Sequence, residues 1–321
     1  MPSILIVDDN IHLIALMGRM LEPLAHVAFA TSGEAALRQM RTCRPDLVLL
    51  DEEMPGMSGI RVCEAMRDDP SLAAIPVMFV TGHGGAEAEV RALTTGAVDF
   101  IAKPVHEAVL LARVRTQLRL KSLSDQLLRS ATLDGLTGLT NRGELDRRLS
   151  LEWGRAARAG STLSLVMVDV DHFKRYTDHY GHPAGDRCLQ AVARVIGDQA
   201  RRATDLAARF GGEEFAVLLP ETSATHAQDA AERLRTEVSA LKLPHAMSTT
   251  GACVTVSLGV ATCRPLPGAT ADGVGQFIEL ADRALYAAKS LGRNRVCVSK
   301  GHPDCAADPA PPCGTAAELQ A

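Results

Sequence analysis

The chain has 321 residues, enough for two domains of ordinary size, with 46% apolar and 22% charged residues as in common water-soluble proteins. A net charge of −4 removes any general electrostatic reason to bind nucleic acid or an anionic membrane, and 3% aromatics implies an aliphatic core. No apolar run reaches the roughly 18 residues of a spanning helix, and Met1–Asp9 lacks a signal peptide's basic segment and cleavage site. A cytoplasmic location without nucleic-acid or membrane partners is therefore expected. The eight cysteines form no C-x-x-C pair, and reduced thiols are expected at all of them.

Over the first 120 residues, short apolar runs alternate with amphipathic stretches. The runs are 4–7, 26–30, 47–50, 77–80 and 98–101, and the helical patterns between them are 11–21, 34–40, 60–66 and 86–93. Five strands with helical crossovers predict a five-stranded, doubly wound parallel sheet, whose ligands sit at the carboxyl ends of its strands. Acidic residues fall at those ends. Asp8 and Asp9 follow the first run and Asp51 the third, while Thr81 follows the fourth and Lys103 the fifth. Three carboxylates in one crevice repel each other unless a hard cation such as Mg2+ joins them. A lysine and a hydroxyl close by suit the oxygens of a transferred phosphoryl group.

With its segments Ile6-Val7-Asp8-Asp9, Asp51-Glu52-Glu53-Met54-Pro55-Gly56, Thr81-Gly82 and Lys103-Pro104, residues 1–118 resemble a response-regulator receiver domain. The resemblance implies phosphorylation of Asp51 by a histidine kinase. It also implies Mg2+ held by Asp8, Asp9, Asp51 and the Glu53 carbonyl, a switch pair of Thr81 and Phe100, and a phosphoryl contact from Lys103.

Helical periodicity continues to about Ser130, with Leu111, Val114 and Leu118 on one face and Leu120, Leu123 and Leu127 continuing it with a shift. Two readings fit residues 119–130: a solvated linker, or a helix that pairs with its copy in a homodimer. Beyond it, 163–170 reads as a buried strand that ends in acid. The runs 206–210 and 213–219 flank Gly211-Gly212 and predict a hairpin with a two-residue glycine turn. Glu213 and Glu214 directly after that turn, with Asp169 on a neighbouring strand, form the acid cluster that a Mg2+–triphosphate site needs.

Gly-Gly-Glu-Glu alone is weak, but it has company. Asp134-Gly135-Leu136-Thr137 stands before it, then Asp169-Val170-Asp171-His172-Phe173-Lys174, Gly181-His182 and Gly185-Asp186. Ser257-Leu258-Gly259 and Lys289-Ser290-Leu291-Gly292-Arg293-Asn294 follow it. In this order and spacing, residues 131–300 resemble a GGDEF diguanylate cyclase domain, and the whole chain resembles cyclases with one receiver. The implied fold is a palm-like α/β domain with a mixed sheet. The implied chemistry is condensation of two GTP into cyclic di-GMP and two pyrophosphates.

By the same resemblance, Asp169, the Val170 carbonyl and Glu213 hold Mg2+, Glu214 assists, and Glu213 is the base for the 3′-hydroxyl. Lys174, Lys289 and Arg293 neutralise phosphates, Gly211 and Gly212 give the triphosphate close backbone access, and Asp186 contacts guanine. Thr177 stands where the family has an Asn that pairs with guanine, and one hydroxyl cannot copy a paired amide contact. Arg202 and Asp205, with Arg233 on a later helix, match the family's inhibitory product site. Residues 301–321, rich in Pro and Ala, are expected to be disordered. Two rival readings are an inactive GGDEF module that binds cyclic di-GMP, and a DNA-binding response regulator. The intact acid and basic groups argue against the first. The negative charge and the lack of a helix-turn-helix pattern argue against the second.

Overall fold

A computed structural model describes residues 1–82, 94–200, 202–266 and 271–299. The chain divides into two compact units, Met1–Leu127 and Leu128–Ala321. The first holds a parallel sheet of β1 (Ser3–Val7), β2 (His26–Ala30), β3 (Leu47–Asp51), β4 (Val77–Thr81) and β5 (Asp99–Ala102) in the order β2-β1-β3-β4-β5. β3 and β4 are buried along their whole length, as a central strand covered on both faces requires. The period of two sends Leu5 and Val7 to one face, with Val62 and Phe79. Ile4 and Ile6 go to the other, with Met17, Leu110 and Val114.

Local chemistry sets where the helices begin. The Asn10 side chain accepts from the His12 and Leu13 amides and starts the helix Ile11–Leu21 directly after Asp8 and Asp9. Ser32 caps Gly33–Thr42 in the same way, and Gly59–Asp68 matches the third helical pattern. The pattern at 86–93 and the tail at 301–321 lie outside the described residues. The last helix of this unit, Glu107–Thr132, runs through the expected linker. Leu110 and Val114 are buried and Leu111 and Leu118 pack against them, whereas Leu120, Leu123, Leu127 and Leu128 are exposed.

The second unit is built on a mixed sheet of β6 (Leu163–Val170), β7 (Leu206–Gly211), β8 (Glu214–Pro220), β9 (Val256–Cys263) and β10 (Val296–Val298), ordered β10-β9-β6-β8-β7. β6 is central, antiparallel to both β8 and β9, and buried throughout. Its alternate residues Val166, Val168 and Val170 face the helix His182–Gln199, while Leu165 and Met167 face Trp153 and Phe277. No helix among the described residues is long and apolar enough to cross a membrane.

Two expectations need correction. The hairpin turn is Gly212-Glu213, not Gly211-Gly212, because Gly211 pairs with Glu214. A bulge between Arg209 and Gly211 takes up one residue and moves the register by one. Cys43, Cys63, Cys188, Cys253 and Cys297 are free thiols as expected, but Cys263 is disulfide-bonded.

Gly259, in the middle of β9, sets how closely the helix Ala271–Ser290 lies on the sheet. A β-carbon there would collide with the Leu285 nitrogen and the Ala281 carbonyl oxygen, both backbone atoms of that helix. Backbone cannot swing aside as a side chain can, so Gly259→Ala is expected to cost about 1–3 kcal/mol, toward the upper end. Thermal denaturation checks this. The transition of the second unit should fall by several degrees, at roughly 2–4 °C per kcal/mol.

Candidate functional site

Two carboxylate clusters stand at strand ends, one in each unit. In the first, β1 and β3 are neighbours in parallel register, so Asp8 and Asp51 emerge side by side. Asp8 and Asp51 are buried and Asp9 is exposed, and oxygen atoms of all three lie within 4.8 Å of one another. Lys103 Nζ reaches Asp51 Oδ2 at 2.9 Å and Asp8 Oδ2 at 3.1 Å. Burial pushes the Asp51 carboxyl above its ordinary pKa, and the Asp8 charge adds to the rise. The Lys103 bond and charge and the Glu53 amide oppose it without cancelling it. Lys103 loses affinity for its proton through burial but gains more from its bonds to Asp51 and Asp8, so its pKa rises.

Thr81 is buried at the end of β4, in register with Ala102. Phe100, two residues earlier on β5, is half-buried. The Arg113 guanidinium lies 5.4 Å from its ring centre and is ion-paired to Asp99. Nothing in the sequence pattern singled out Arg113.

The second cluster forms where β6 ends. Asp169 is in register with Glu214 on one side and Ser257 on the other, and the Val170 amide donates to the Glu213 carbonyl at 3.3 Å. The helix Ala271–Ser290 delivers Lys289, whose Nζ lies 2.7 Å from Asp169 Oδ2. Only 8% of Asp169 is exposed. Burial raises its pKa to about 6. The hydrogen bond and charge of Lys289 pull against this rise, and the charges of Glu213 and Glu214 add to it.

The turn between the strands is held from behind. Arg209 donates to the Gly212 carbonyl through Nε (2.9 Å) and Nη2 (2.7 Å), and its Nη1 reaches both Asp134 oxygens at 3.1 and 3.2 Å. Asp134 also accepts from the Thr137 amide and hydroxyl. Gly212 takes φ +56°, a conformation that favours glycine. Asp171, just beyond β6, is buried and accepts from Thr255 Oγ1, Ser257 Oγ and the Asn294 amide at 2.7, 2.6 and 3.0 Å. Arg209, Asp134 and Asp171 carry no role in the sequence pattern: Asp134 and Asp171 stand inside motif segments, and Arg209 lies in the apolar run before the glycine turn.

The remaining predicted residues are spread around this centre. Lys174 is exposed on the helix Phe173–Tyr180, and neither it nor Arg293 is ion-paired among the described residues. The Thr177 hydroxyl donates to the Lys174 carbonyl at 2.9 Å. Its methyl faces Gly185, where an added β-carbon would lie 2.6 Å from Thr177 Cγ2. Asp186, next to Gly185 on the helix His182–Gln199, is exposed. In the loop before β7, the Arg202 amide donates to Asp205 Oδ2 at 2.9 Å, and Asp205 Oδ1 is buried without a partner. No ion pair joins these two side chains. Arg233 is exposed on the helix Ala224–Ala240, where with Asp229, Glu232, Thr236 and Glu237 it lines an open concavity of about 470 Å³.

A doubly wound parallel sheet with a lysine-bridged aspartate cluster, followed by a mixed sheet with acids at a glycine turn, defines a receiver-like unit and a second α/β unit in one chain. The chain belongs to the GGDEF diguanylate cyclase family: the model described as "Diguanylate cyclase, GGDEF domain" matches residues 131–295. "Response regulator receiver domain" matches residues 4–115. The response regulator PleD of Caulobacter vibrioides is 33% identical over 258 residues, covering 78% of this chain and 56% of PleD. Diguanylate cyclase A of Treponema denticola is 43% identical over 141 residues, covering 44% of this chain and 36% of that protein. The chain thus spans about half or less of these curated relatives. Among solved structures, the coiled coil and GGDEF domain of DgcB from Caulobacter crescentus, in complex with c-di-GMP, is 38% identical with a TM-score of 0.52. The match covers 60% of this chain and 98% of that one.

The raised pKa of Asp169 fixes the sign of a pH effect. The folded state holds this proton up to about pH 6, whereas an unfolded aspartate releases it near pH 4. The metal-free protein should therefore lose stability from this group as pH rises from about 4 to 6. Asp169→Asn has no such proton and should lack that part of the slope. Denaturant midpoints of both proteins in a chelator, across this pH range, give the comparison.

Proposed function

We propose that this chain is a diguanylate cyclase switched by phosphorylation of its receiver, converting two GTP into cyclic di-GMP and two pyrophosphates. The observation that carries the reading is the buried Asp169 beside Glu213 and Glu214 at the Gly212 turn, with Lys289 paired to it. In the receiver, Asp8, Asp9 and Asp51 bring oxygen atoms within 4.8 Å of one another beside Lys103, a donor set that suits Mg2+, and Asp169, Glu213 and Glu214 supply carboxylates of the same kind at the end of β6. In the cyclase site Asp169, the Val170 carbonyl and Glu213 would hold the ion. In the receiver, Asp8, Asp9, Asp51 and the Glu53 carbonyl would. Held there, Mg2+ would supply positive charge that offsets the acids and the phosphates.

The chain's own groups divide the remaining work. Gly211 and Gly212 let the backbone approach the triphosphate, and Lys174, Lys289 and Arg293 offset its charge. Asp186 and Thr177 border the guanine. Glu213 accepts the proton as a 3′-hydroxyl attacks the α-phosphate of the GTP held by a second protomer, and pyrophosphate leaves. Glu214 adds negative charge beside the metal ligands. The same step in the opposite sense closes the ring, so a homodimer is required. The exposed Leu120, Leu123, Leu127 and Leu128 support pairing through the helix Glu107–Thr132. A histidine kinase would phosphorylate Asp51, with Lys103 contacting the phosphoryl group and Thr81 and Phe100 relaying the change. Product would return to Arg202, Asp205 and Arg233 as inhibitor, as the complex of DgcB with c-di-GMP suggests.

Pure protein incubated with GTP and Mg2+, with and without a small phosphoryl donor, tests both halves. Cyclic di-GMP and pyrophosphate should form in a 1:2 ratio, faster with the donor. Glu213→Gln should lower the rate by about 10²-fold or more, and Asp51→Asn should lose the response to the donor. No product from wild type would reject the enzyme reading.

Thr177→Asn should lower KM for GTP about fivefold, the equivalent of one regained hydrogen bond of ~1 kcal/mol. Initial rates with GTP and ITP separate base recognition from other effects, since the gain should be confined to GTP.

A further inference from the structure

Gly292, Arg293 and Asn294 take consecutive positive φ values of 113°, 62° and 44°. Arginine and asparagine pay for this region in steric strain, so two in succession persist only where the surroundings hold them. Hydrogen bonds converge on the segment. The Arg293 amide donates to the Ala288 carbonyl at 3.0 Å, and the Asn294 amide donates to Asp171 Oδ2 at 3.0 Å. Asp171 is itself fixed to Thr255 and Ser257, so the backbone of the turn is tied to the end of β6. The Asn294 side chain is held from elsewhere. Arg235 Nη1, on the helix Ala224–Ala240, donates to Asn294 Oδ1 at 3.0 Å, and Glu232 orients Arg235 through a 2.8 Å bond to its Nε.

We propose that Arg235 is a positioning residue for nucleotide binding, acting through the Asn294 side chain to hold the left-handed turn that aims Arg293 at the triphosphate. The inference rests on the reading of Arg293 as a phosphate contact. It assigns Arg235 no contact with nucleotide.

Calorimetric titration of the full chain with a nonhydrolysable GTP analogue, and separately with guanosine, tests it. The proteins are wild type, Arg235→Ala, Arg235→Lys, Arg293→Ala and the double variant Arg235→Ala/Arg293→Ala. Arg235→Ala should weaken the triphosphate about three- to tenfold, the range of one lost hydrogen bond, and leave guanosine unchanged. KM for GTP should rise by a similar factor with little change in kcat. Arg235→Lys keeps a donor and should recover part of the affinity. In the Arg293→Ala background the Arg235→Ala change should add nothing. If Arg235→Ala fails to fold, Arg235→Met keeps the apolar stem and serves in its place. Wild-type affinity in the Arg235 variants, or the same loss in both backgrounds, overturns the inference and leaves the proposed function standing. A wild type that binds guanosine but gains nothing from the triphosphate overturns the reading of Arg293, and the inference with it.

Discussion

A carboxylate buried at the end of a central strand dictates the chemistry around it. Water solvates Asp169 poorly, and burial of an unpaired charge is costly. The fold answers with Lys289, brought from a helix more than a hundred residues later in the chain. That delivery depends on how closely the helix lies on β9, which Gly259 permits. It depends also on β6 being flanked by β8 and β9, which set Glu214 and Ser257 beside Asp169. One lysine does not balance the acids at the turn, and the remaining negative charge favours a hard cation there.

The receiver reaches a related balance with a different sheet. Parallel neighbours place Asp8 and Asp51 together, and Lys103 arrives from the end of β5 to bridge them. In both units an acid pushed up in pKa by burial is partly restored by a lysine from another element. A charged ligand that enters either cluster meets a lysine already paired to the acids.

Periodicity and strand-end acids made most of this architecture readable from the chain alone. Short continuous apolar runs such as 47–50 and 77–80, set between amphipathic helical patterns, read as strands covered on both faces, and Asp51 and Thr81 follow them directly. Asp169 and the glutamates were readable because an apolar strand gains nothing from acids at a glycine turn. The turn's register was not readable, since a bulge at Arg209–Gly211 shifts it without altering the hydrophobic pattern. Nor were the ties made by Arg209 and Asp171, whose partners lie from 3 to 123 residues away. Spacing reports local geometry, and these contacts are made by tertiary packing.

The grip of Arg209 on the Gly212 carbonyl has a further consequence. A trans peptide is planar, so its carbonyl and its amide hydrogen point in opposite directions. With two nitrogens of one guanidinium bonded to the Gly212 oxygen, the Glu213 N–H is turned the other way and cannot flip without breaking both bonds. The arginine also draws the negative end of that peptide dipole toward itself. A glycine turn is usually pictured as pliant, yet this one has a preset polarity, with its acceptor already taken and a donor left facing outward.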